Sequence, residues 1–473
     1  MIESKKSLSK QLFVLLMLCI FSLPGNANQT EEEKEEAFAY SLGTHAYTFG
    51  FPWVYLSQLR YMWTQIDTGT PTIPYAAVNT FFETDRLADA SYRNGGSPNN
   101  DTLFSVAWID VADEPIILSH PDINDRYFTF EMASMDSDNF AYVGLRETGS
   151  KAGDFAIVGP NWEGTLPEGV QEIPRSRTNS ILILGRILVD GKEDIASAKA
   201  LMTQYRLTPL SQWGNGKKPV INPRKVLVPF DRKTDPLADW KTMNAAMTLD
   251  PPQDTHKNLV DQFTTLHIGP GQDVEKASEA TKRGLARAAK DSLAMFSKVI
   301  QNGVGRSVNG WTYPPEVMGR AGQSNNFLIR AALQCLTGII SHDQEEAIYL
   351  NTFSDFNNDV LHGDNAYTIR FTEDNLPPIN DQGFWSMTLY GLDYNLVDNE
   401  IDRYSIGNRT KNLVYGEDGS LTLYVQAKKP VGDKAANWLP SPAGSEFYLV
   451  LRTYLPKAPL IAQEWAPPAL NKN

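Results

Sequence analysis

The chain has 473 residues, with 43 lysine and arginine against 56 aspartate and glutamate, and a formal net charge of -13. This length exceeds a single ordinary core. The acidic balance and the lack of an extended basic cluster argue against nucleic acid as a partner. The aromatic content of 11 % excludes a disordered protein.

The first 27 residues have the pattern of a secretory signal peptide. Lys5, Lys6 and Lys10 precede an apolar run over 12–23, and Ala27 is a small residue suited to cleavage. No later run reaches about 18 apolar residues, so we expect no membrane span in the mature chain. We therefore expect an exported protein, periplasmic or extracellular, which retains one cysteine, Cys335, as a buried structural thiol.

Residues 28–214 are predicted to form a domain with an N-terminal helix and β-strands. A helical stretch over 31–66 begins with an acidic turn and contains Gly43, Gly50 and Pro52 as interruptions. From about residue 79 the hydrophobic period becomes two, which predicts strands over 102–111, 126–132, 154–159 and 180–189. A further helix is expected to start near residue 190.

Residues 215–345 are predicted to be a linker and a helical bridge, with helices over 235–246, 252–266, 273–299 and 326–340. Residues 346–473 return to a period of two, with strands over 367–372, 384–390, 420–426 and 446–454. The predicted fold class is therefore mainly β with α (α+β), with two β-sandwich or jelly-roll modules joined by helices.

Several motifs resemble a bacterial, usually exported family with paired domains of unknown function, 1254 followed by 1214. The N-terminal matches are 99–105 (NNDTLFS), 125–127 (DRY), 159–164 (GPNWEG) and 207–210 (LTPL). The C-terminal matches are 383–390 (GFWSMTLY), 437–442 (NWLPSP) and 451–454 (LRTY). The resemblance implies two β-sandwich-like modules joined by helices, and Phe104 stands where the family often has tyrosine.

Common cofactor and nucleophile motifs do not occur in the sequence, so we expect no cofactor. The six histidines have no metal-ligand spacing. Two loops, 136–139 and 355–359, resemble calcium loops but lack the glycine and glutamate of an EF-hand, and turn formation explains them better. We therefore predict no metal site.

Two carboxylates of the N-terminal module are candidate catalytic groups. Asp101 follows Asn99 and Asn100 in a polar segment that leads into a strand, where these side chains could hold a hydroxylated or carboxylated ligand or form a hydrogen-bonded turn. Glu131 shares a strand face with Tyr127 and Thr129. If the opposite face packs on the core, Glu131 is solvated; if its own face lines a cleft, it is a candidate acid or base.

The C-terminal module places aromatic rings beside polar groups. The candidate ligand-binding residues there are Trp385, Tyr390, Asn437, Trp438 and Arg452. A ring can stack on a sugar while an amide or guanidinium orients it. A sandwich core with a buried tryptophan and a satisfied arginine explains the same pattern.

Three functional hypotheses remain open from the sequence. The first is an exported protein that binds a small polar or saccharide ligand in a cleft between the β modules. The second is a hydrolase or lyase of unrecognised type that uses Asp101 and Glu131. The third is a structural or oligomer-assembly protein of the envelope, whose aromatic faces are subunit interfaces.

Overall fold

The computed structural model describes residues 29–70, 73–93, 96–216, 219–220 and 225–473. The predicted signal peptide lies outside these residues. Within them, no helix combines the length and apolar character needed to cross a membrane. These described residues form seven helices and 19 strands, and the fold is mainly β with α, which confirms the predicted class.

The helices are α1 (Glu31–Gln65), α2 (Ile195–Met202), α3 (Ala238–Leu249), α4 (Lys257–Phe263), α5 (Glu279–Asn302), α6 (Phe327–Ile329) and α7 (Ala458–Ile461). Most of the helices cover one side of the N-terminal module, but α2 packs in the core between its sheets and α7 packs in the core of the C-terminal module. The predicted helix over 326–340 is much shorter, because α6 continues as a π-helix only to Cys335. The predicted helix over 273–299 begins later, at Glu279, after a 3₁₀ turn over Val274–Lys276.

Helix α1 is continuous, so the predicted interruptions are wrong. Thr30 caps it through a reciprocal capping box with Glu33. Gly43 lies where a Cβ atom would be only 3.0 Å from Leu285 of α5, and Gly50 lies where one would overlap Met243 of α3. Both glycines therefore permit close helix packing.

Nine strands lie in the described part of the N-terminal module. They are β1 (Phe82–Glu83), β2 (Thr102–Asp110), β3 (Ile116–His120), β4 (Phe128–Ser134), β5 (Asn139–Gly144), β6 (Gly153–Ile157), β7 (Val170–Glu172), β8 (Ser180–Leu188) and β9 (Arg206–Pro209). Sheet A has the order β1-β2-β8-β4-β5 and sheet B the order β7-β6-β3-β9. Their facing apolar side chains, including Phe128, Phe130 and Met132, form a sandwich core.

The other face of sheet A is covered by a helical layer. Val106, Trp108 and Leu182 of this face share one apolar core with α1, α3, α5 and the π-helix. The segment predicted as a bridge over 215–345 is therefore largely a third layer of the N-terminal module. The amphipathic faces of these helices bury against α1 and sheet A instead of spanning between the modules.

The C-terminal module contains ten strands. They are β10 (Ser307–Val308), β11 (Trp311–Thr312), β12 (Ala347–Thr352), β13 (Tyr367–Phe371), β14 (Ile379–Gly391), β15 (Ser405–Gly407), β16 (Leu421–Gln426), β17 (Trp438–Pro440), β18 (Phe447–Pro456) and β19 (Asn471–Lys472). Sheet C has the order β10-β11-β12-β18-β14-β15 and sheet D the order β17-β16-β13-β19. Since β10 and β11 join sheet C, the C-terminal module draws strands from within the predicted bridge.

Candidate ligand site between the two β modules

The two modules meet through the outer faces of sheets A and C. Tyr127, immediately before β4, has its ring centroid 5.5 Å from that of Phe384 on β14 and 5.2 Å from that of Tyr454 on β18. Phe384 and Tyr454 stack with centroids 4.1 Å apart. These three buried rings, which we call the aromatic plug, fix the relative position of the modules.

The segment that precedes β2 crosses onto sheet C. Asn99 donates from Nδ2 to the Tyr454 hydroxyl at 2.5 Å, and its Oδ1 accepts from the backbone N–H groups of Asp101 and Thr102. The sequence-predicted Asn99 therefore forms a turn and also ties the turn to the other module.

Two other sequence-predicted residues hold the same segment from sheet C. Arg452 donates from Nη2 to the Ser97 carbonyl at 2.8 Å, and the Tyr390 hydroxyl donates to the Pro98 carbonyl at 2.7 Å. Both side chains are buried. Their observed role is to bind the N-terminal module's backbone.

A cleft opens beside this contact, which we call the junction cleft. It has two adjoining lobes of about 620 and 710 Å³. The larger lobe is lined by the sequence-predicted Asn100, Asp101 and Trp385, together with residues from the loop around β15. Asp101 lies at its base, where Ser386 Oγ donates to Oδ2 at 2.6 Å and Arg409 Nη2 donates to Oδ1 at 2.9 Å.

The charges of the junction cleft balance. Its basic lining residues are Arg86, Arg126, Lys192, Arg403, Arg409 and Lys411. Its acidic lining residues are Asp89, Asp101, Asp190, Glu193, Asp194 and Asp402. Most of them form ion pairs with one another, such as Arg126 with Asp194, Lys192 with Asp402 and Lys411 with Glu193.

Glu131 lies deeper in the junction and is fully buried, so the expectation of a solvated carboxylate is wrong. Phe128, Phe130 and Met132 do face the sandwich core, but the opposite face is covered by the C-terminal module. Arg186 Nη1 donates to Glu131 Oε2 at 2.8 Å and also lies 2.7 Å from His342 Nε2.

His342 and Asn139 complete the surroundings of Glu131. His342 Nδ1 lies 3.2 Å from Oε2, but the angle does not make a hydrogen bond, so the contact is electrostatic. Asn139 Nδ2 donates to Oε1 at 3.0 Å. Burial raises the pKa of Glu131, but His342 and Arg186 lower it more, so its pKa lies below the ordinary value.

Two sequence-predicted ligand residues lie away from the junction. Asn437 donates to the carbonyls of Val414 and Thr422, and Trp438 donates from its indole to the carbonyl of Gln426. Both are buried and tie β17 to its surroundings. Their role here is to hold sheet D together.

The sequence interpretation missed Arg409, Arg186 and His342. Arg186, like Glu131, is a charged residue inside an apolar strand, so the pattern that identified Glu131 also marks Arg186. Arg409 lies in a loop and His342 ends a loop, where no periodic pattern marks a site.

The loop over 136–139 is held by ion pairs and hydrogen bonds. Arg177 Nη2 donates to Asp136 at 3.0 Å, while Asp138 accepts from the Gly322 N–H at 3.0 Å and from Gln334 at 2.9 Å. Within the part of the chain that the structure describes, no group of three or more metal-ligating side chains occurs.

Comparisons with known proteins identify both modules. Residues 78–209 match the family described as protein of unknown function DUF1254, and residues 346–458 match DUF1214. The VPA0106 protein from Vibrio parahaemolyticus has a similar crystal structure, with a TM-score of 0.72 and 22 % identity over 92 % of this chain and 100 % of that one. A protein from Burkholderia cenocepacia, described as uncharacterised, matches with a TM-score of 0.41 and 13 % identity over 94 % of this chain and 96 % of that one. No curated protein matches.

Proposed function

We propose that this chain, which belongs to the family that joins DUF1254 to DUF1214, binds a small, neutral, hydroxyl-rich ligand of the saccharide class in the junction cleft. The activity of the family is unknown, so the proposal is drawn from the geometry of the cleft. The larger lobe, about 710 Å³, is within the usual size of small-molecule sites, roughly 300–1,000 Å³. The observation that carries the proposal is the balanced set of charges around this lobe.

Balanced, paired charges favour hydroxyl groups over ionic ligands. An anion or a cation that approached the paired groups would have to compete with an existing ion pair, such as Asp101 with Arg409 or Lys192 with Asp402. A sugar hydroxyl can donate to a carboxylate and accept from a guanidinium or ammonium group without breaking either pair. Asn100 and Ser386 add neutral donors and acceptors to the same lining.

The enzyme alternative would use Asp101 and Glu131 together. Within the described residues, the two carboxylates belong to separate networks, Asp101 with Ser386 and Arg409, and Glu131 with Arg186 and Asn139. Paired acid–base catalysis requires both groups to reach one substrate. The geometry therefore supports binding better than this pairing.

The assembly alternative would use exposed aromatic faces. Trp385, Tyr390 and Trp438 are each at most 3 % exposed. They cannot form a subunit interface without rearrangement of the sandwich, so they support a core role.

We infer also that the protein acts outside the cytoplasm, in the periplasm or the extracellular space. The support is the predicted signal peptide over 1–27. Fractionation of cells that express the full chain, with a cytoplasmic marker, tests this: a precursor-sized protein found only with the cytoplasmic marker would contradict it.

The binding proposal can be tested by calorimetric titration with a panel of mono- and disaccharides, with dicarboxylates as ionic comparators. We expect a saccharide to bind. Lys192→Met should weaken its binding at least threefold, because the Lys192 side chain lines the larger lobe. Lys192 is exposed, so its replacement should not affect folding. Asp101→Asn should weaken saccharide binding at least tenfold.

The matched control is Asp418→Asn, which alters an exposed carboxylate paired with Arg370 outside the cleft. It should bind the saccharide like the native protein. Failure of every saccharide to bind, or equal binding by all three variants, would contradict the proposal.

A further inference from the structure

The two lobes of the junction cleft share a boundary. The smaller lobe is about 620 Å³ and the larger about 710 Å³, so each lobe alone has the size of a small-molecule site, roughly 300–1,000 Å³. Four side chains line both lobes, and we call them the boundary residues: Asp190, Glu193, Arg409 and Lys411. A ligand that extends from one lobe into the other would therefore pass along these side chains.

The boundary residues come from both modules. Asp190 and Glu193 follow β8 in the N-terminal module, whereas Arg409 and Lys411 follow β15 in the C-terminal module. Glu193 pairs with Lys411, and Arg409 Nη1 lies 3.7 Å from Asp190 Oδ1. The position of one lobe relative to the other is therefore set by the docking of the modules, which the buried aromatic plug fixes.

Arg409 is the least exposed of the boundary residues, at 21 % against 59 % or more for the others. Its Nη1 donates to the Val189 carbonyl and its Nη2 to Asp101 Oδ1, each at 2.9 Å, and the guanidinium carbon lies 4.6 Å from the Phe384 ring centroid. Each terminal nitrogen of a guanidinium carries two N–H groups, so both keep a second donor. Arg409 can therefore donate to a ligand at the boundary and keep its pair with Asp101.

The smaller lobe has paired charges of its own. Arg126 and Asp194 line this lobe and not the larger one, and two hydrogen bonds join them, one of them 2.8 Å long from Nη2 to Oδ1. Such a bidentate pair leaves neither charge unpaired. The argument that favours hydroxyl groups in the larger lobe therefore applies to the smaller lobe as well.

The two lobes differ in their apolar lining. Among the described residues, the smaller lobe has one apolar side chain, that of Leu188. The larger lobe has several, which include Leu87, Val189, Ile195, Trp385 and Ile401. Apolar contact adds to the binding of a ligand in a pocket. The larger lobe should therefore contribute most of the affinity, and the smaller lobe should hold a second hydroxyl-rich group mainly through hydrogen bonds.

We propose that the ligand of the junction cleft is a disaccharide, with one ring in each lobe and with Arg409 donating to an oxygen at the linkage between the rings. This inference rests on the proposed saccharide function and deepens it. Two linked rings bind more tightly than one, because the ring in the larger lobe holds the other beside the smaller lobe at a high effective concentration.

The test compares disaccharides with their own monosaccharide units in calorimetric titrations of the full folded protein. The probes are maltose and cellobiose with glucose, lactose with glucose and galactose, and mannobiose with mannose. We expect one disaccharide to bind at least tenfold more tightly than its units. Leu188→Phe, which fills only the smaller lobe, should remove this advantage and leave monosaccharide binding unchanged. Leu249→Phe, at a position 55 % exposed that lines neither lobe, is the size-matched control and should change neither affinity.

Arg126→Lys is a second variant confined to the smaller lobe, and it keeps the positive charge. It should weaken the disaccharide at least threefold. Unchanged monosaccharide binding in the larger lobe shows that this variant is folded, so it decides the test if Leu188→Phe does not fold.

The outcomes separate this inference from the proposed function. If no saccharide binds, the proposed function fails and the inference fails with it. If a monosaccharide binds as tightly as every disaccharide that contains it, the saccharide function stands and the disaccharide inference is overturned. The inference is also overturned if the folded smaller-lobe variants keep the full advantage of the disaccharide.

Discussion

The outer face of sheet A has an apolar half and a polar half, and strands β4 and β8 contribute to both. Toward the helical layer, β2, β4 and β8 present Trp108, Ala133 and Leu182. Toward the C-terminal module, β4 and β8 present Glu131 and Arg186 instead. Strand alternation continues unchanged along the face, so the change reflects what covers it. The apolar half packs on the helical layer, and the polar half holds a buried ion pair against the C-terminal module.

The largest effect is expected from breaking the buried ion pair of the polar half. Arg186→Met removes the guanidinium that pairs with the buried Glu131, and should lower the free energy of unfolding by about 3–5 kcal/mol. Adding Glu131→Gln should recover most of this loss. Denaturant unfolding of both variants measures it, and a double variant as unstable as the single one would contradict the assignment.

A slightly smaller loss is expected in the apolar half. Leu182→Ala removes a buried side chain beneath the helical layer and should cost about 2–5 kcal/mol of unfolding free energy. Saccharide binding should remain, since Leu182 lines neither lobe of the junction cleft. Loss of binding in a folded variant would show that the two halves are not independent.

A pH effect is expected at the 136–139 loop, where the helical layer meets sheet A. Burial, together with the charge of Asp136, raises the pKa of Asp138 to about 6. Its folded pKa is above the unfolded value, so its contribution to stability is present below about pH 4 and is lost as the pH rises through about 6.

Asp138→Asn should remove this dependence. Relative to the native protein, the variant should gain about 1–3 kcal/mol of unfolding free energy between pH 4 and pH 7.5. Urea unfolding at several pH values measures the difference. A difference that does not change with pH would show that Asp138 is ionised normally in the folded state.

The smallest stability effect is expected at the exposed ion pairs of the junction cleft. Lys411 and Glu193 are 62 % and 66 % exposed, and Lys411→Met should leave the unfolding free energy nearly unchanged, because exposed ion pairs add little to stability. Saccharide affinity should nevertheless fall, because the side chain lines the cleft. A large loss of stability in this variant would remove the contrast between the buried and exposed pairs.

The sequence predicted which side chains share a strand face, but it did not predict which distant segments pack on that face. The sequence left Trp385 open between a ligand site and a sandwich core, and its side chain packs in the core of the C-terminal module while also lining the junction cleft. The solvated interpretation of Glu131 failed because its cover comes from segments far along the chain. His342, 211 positions later, reaches Glu131 only through the packing of the two modules.

The continuous helix α1 and the helical layer show the same limit. Gly43, Gly50 and Pro52 are typical helix breakers in isolation, but close packing against α3 and α5 makes the two glycines favourable at their positions. Tertiary contacts therefore overrode the local propensity. Asn437 and Trp438 show the converse, since their sequence pattern fits a ligand site and their contacts are those of a sandwich.

The most direct measurement is a crystal structure of the protein soaked with the tightest-binding saccharide from the titration panel. We predict that the sugar occupies the larger lobe of the junction cleft, with hydroxyl groups hydrogen-bonded to Asp101 and Asn100 and with the Asp101–Arg409 pair intact. A sugar bound elsewhere on the molecule, or one that displaces Arg409 from Asp101, would contradict the account.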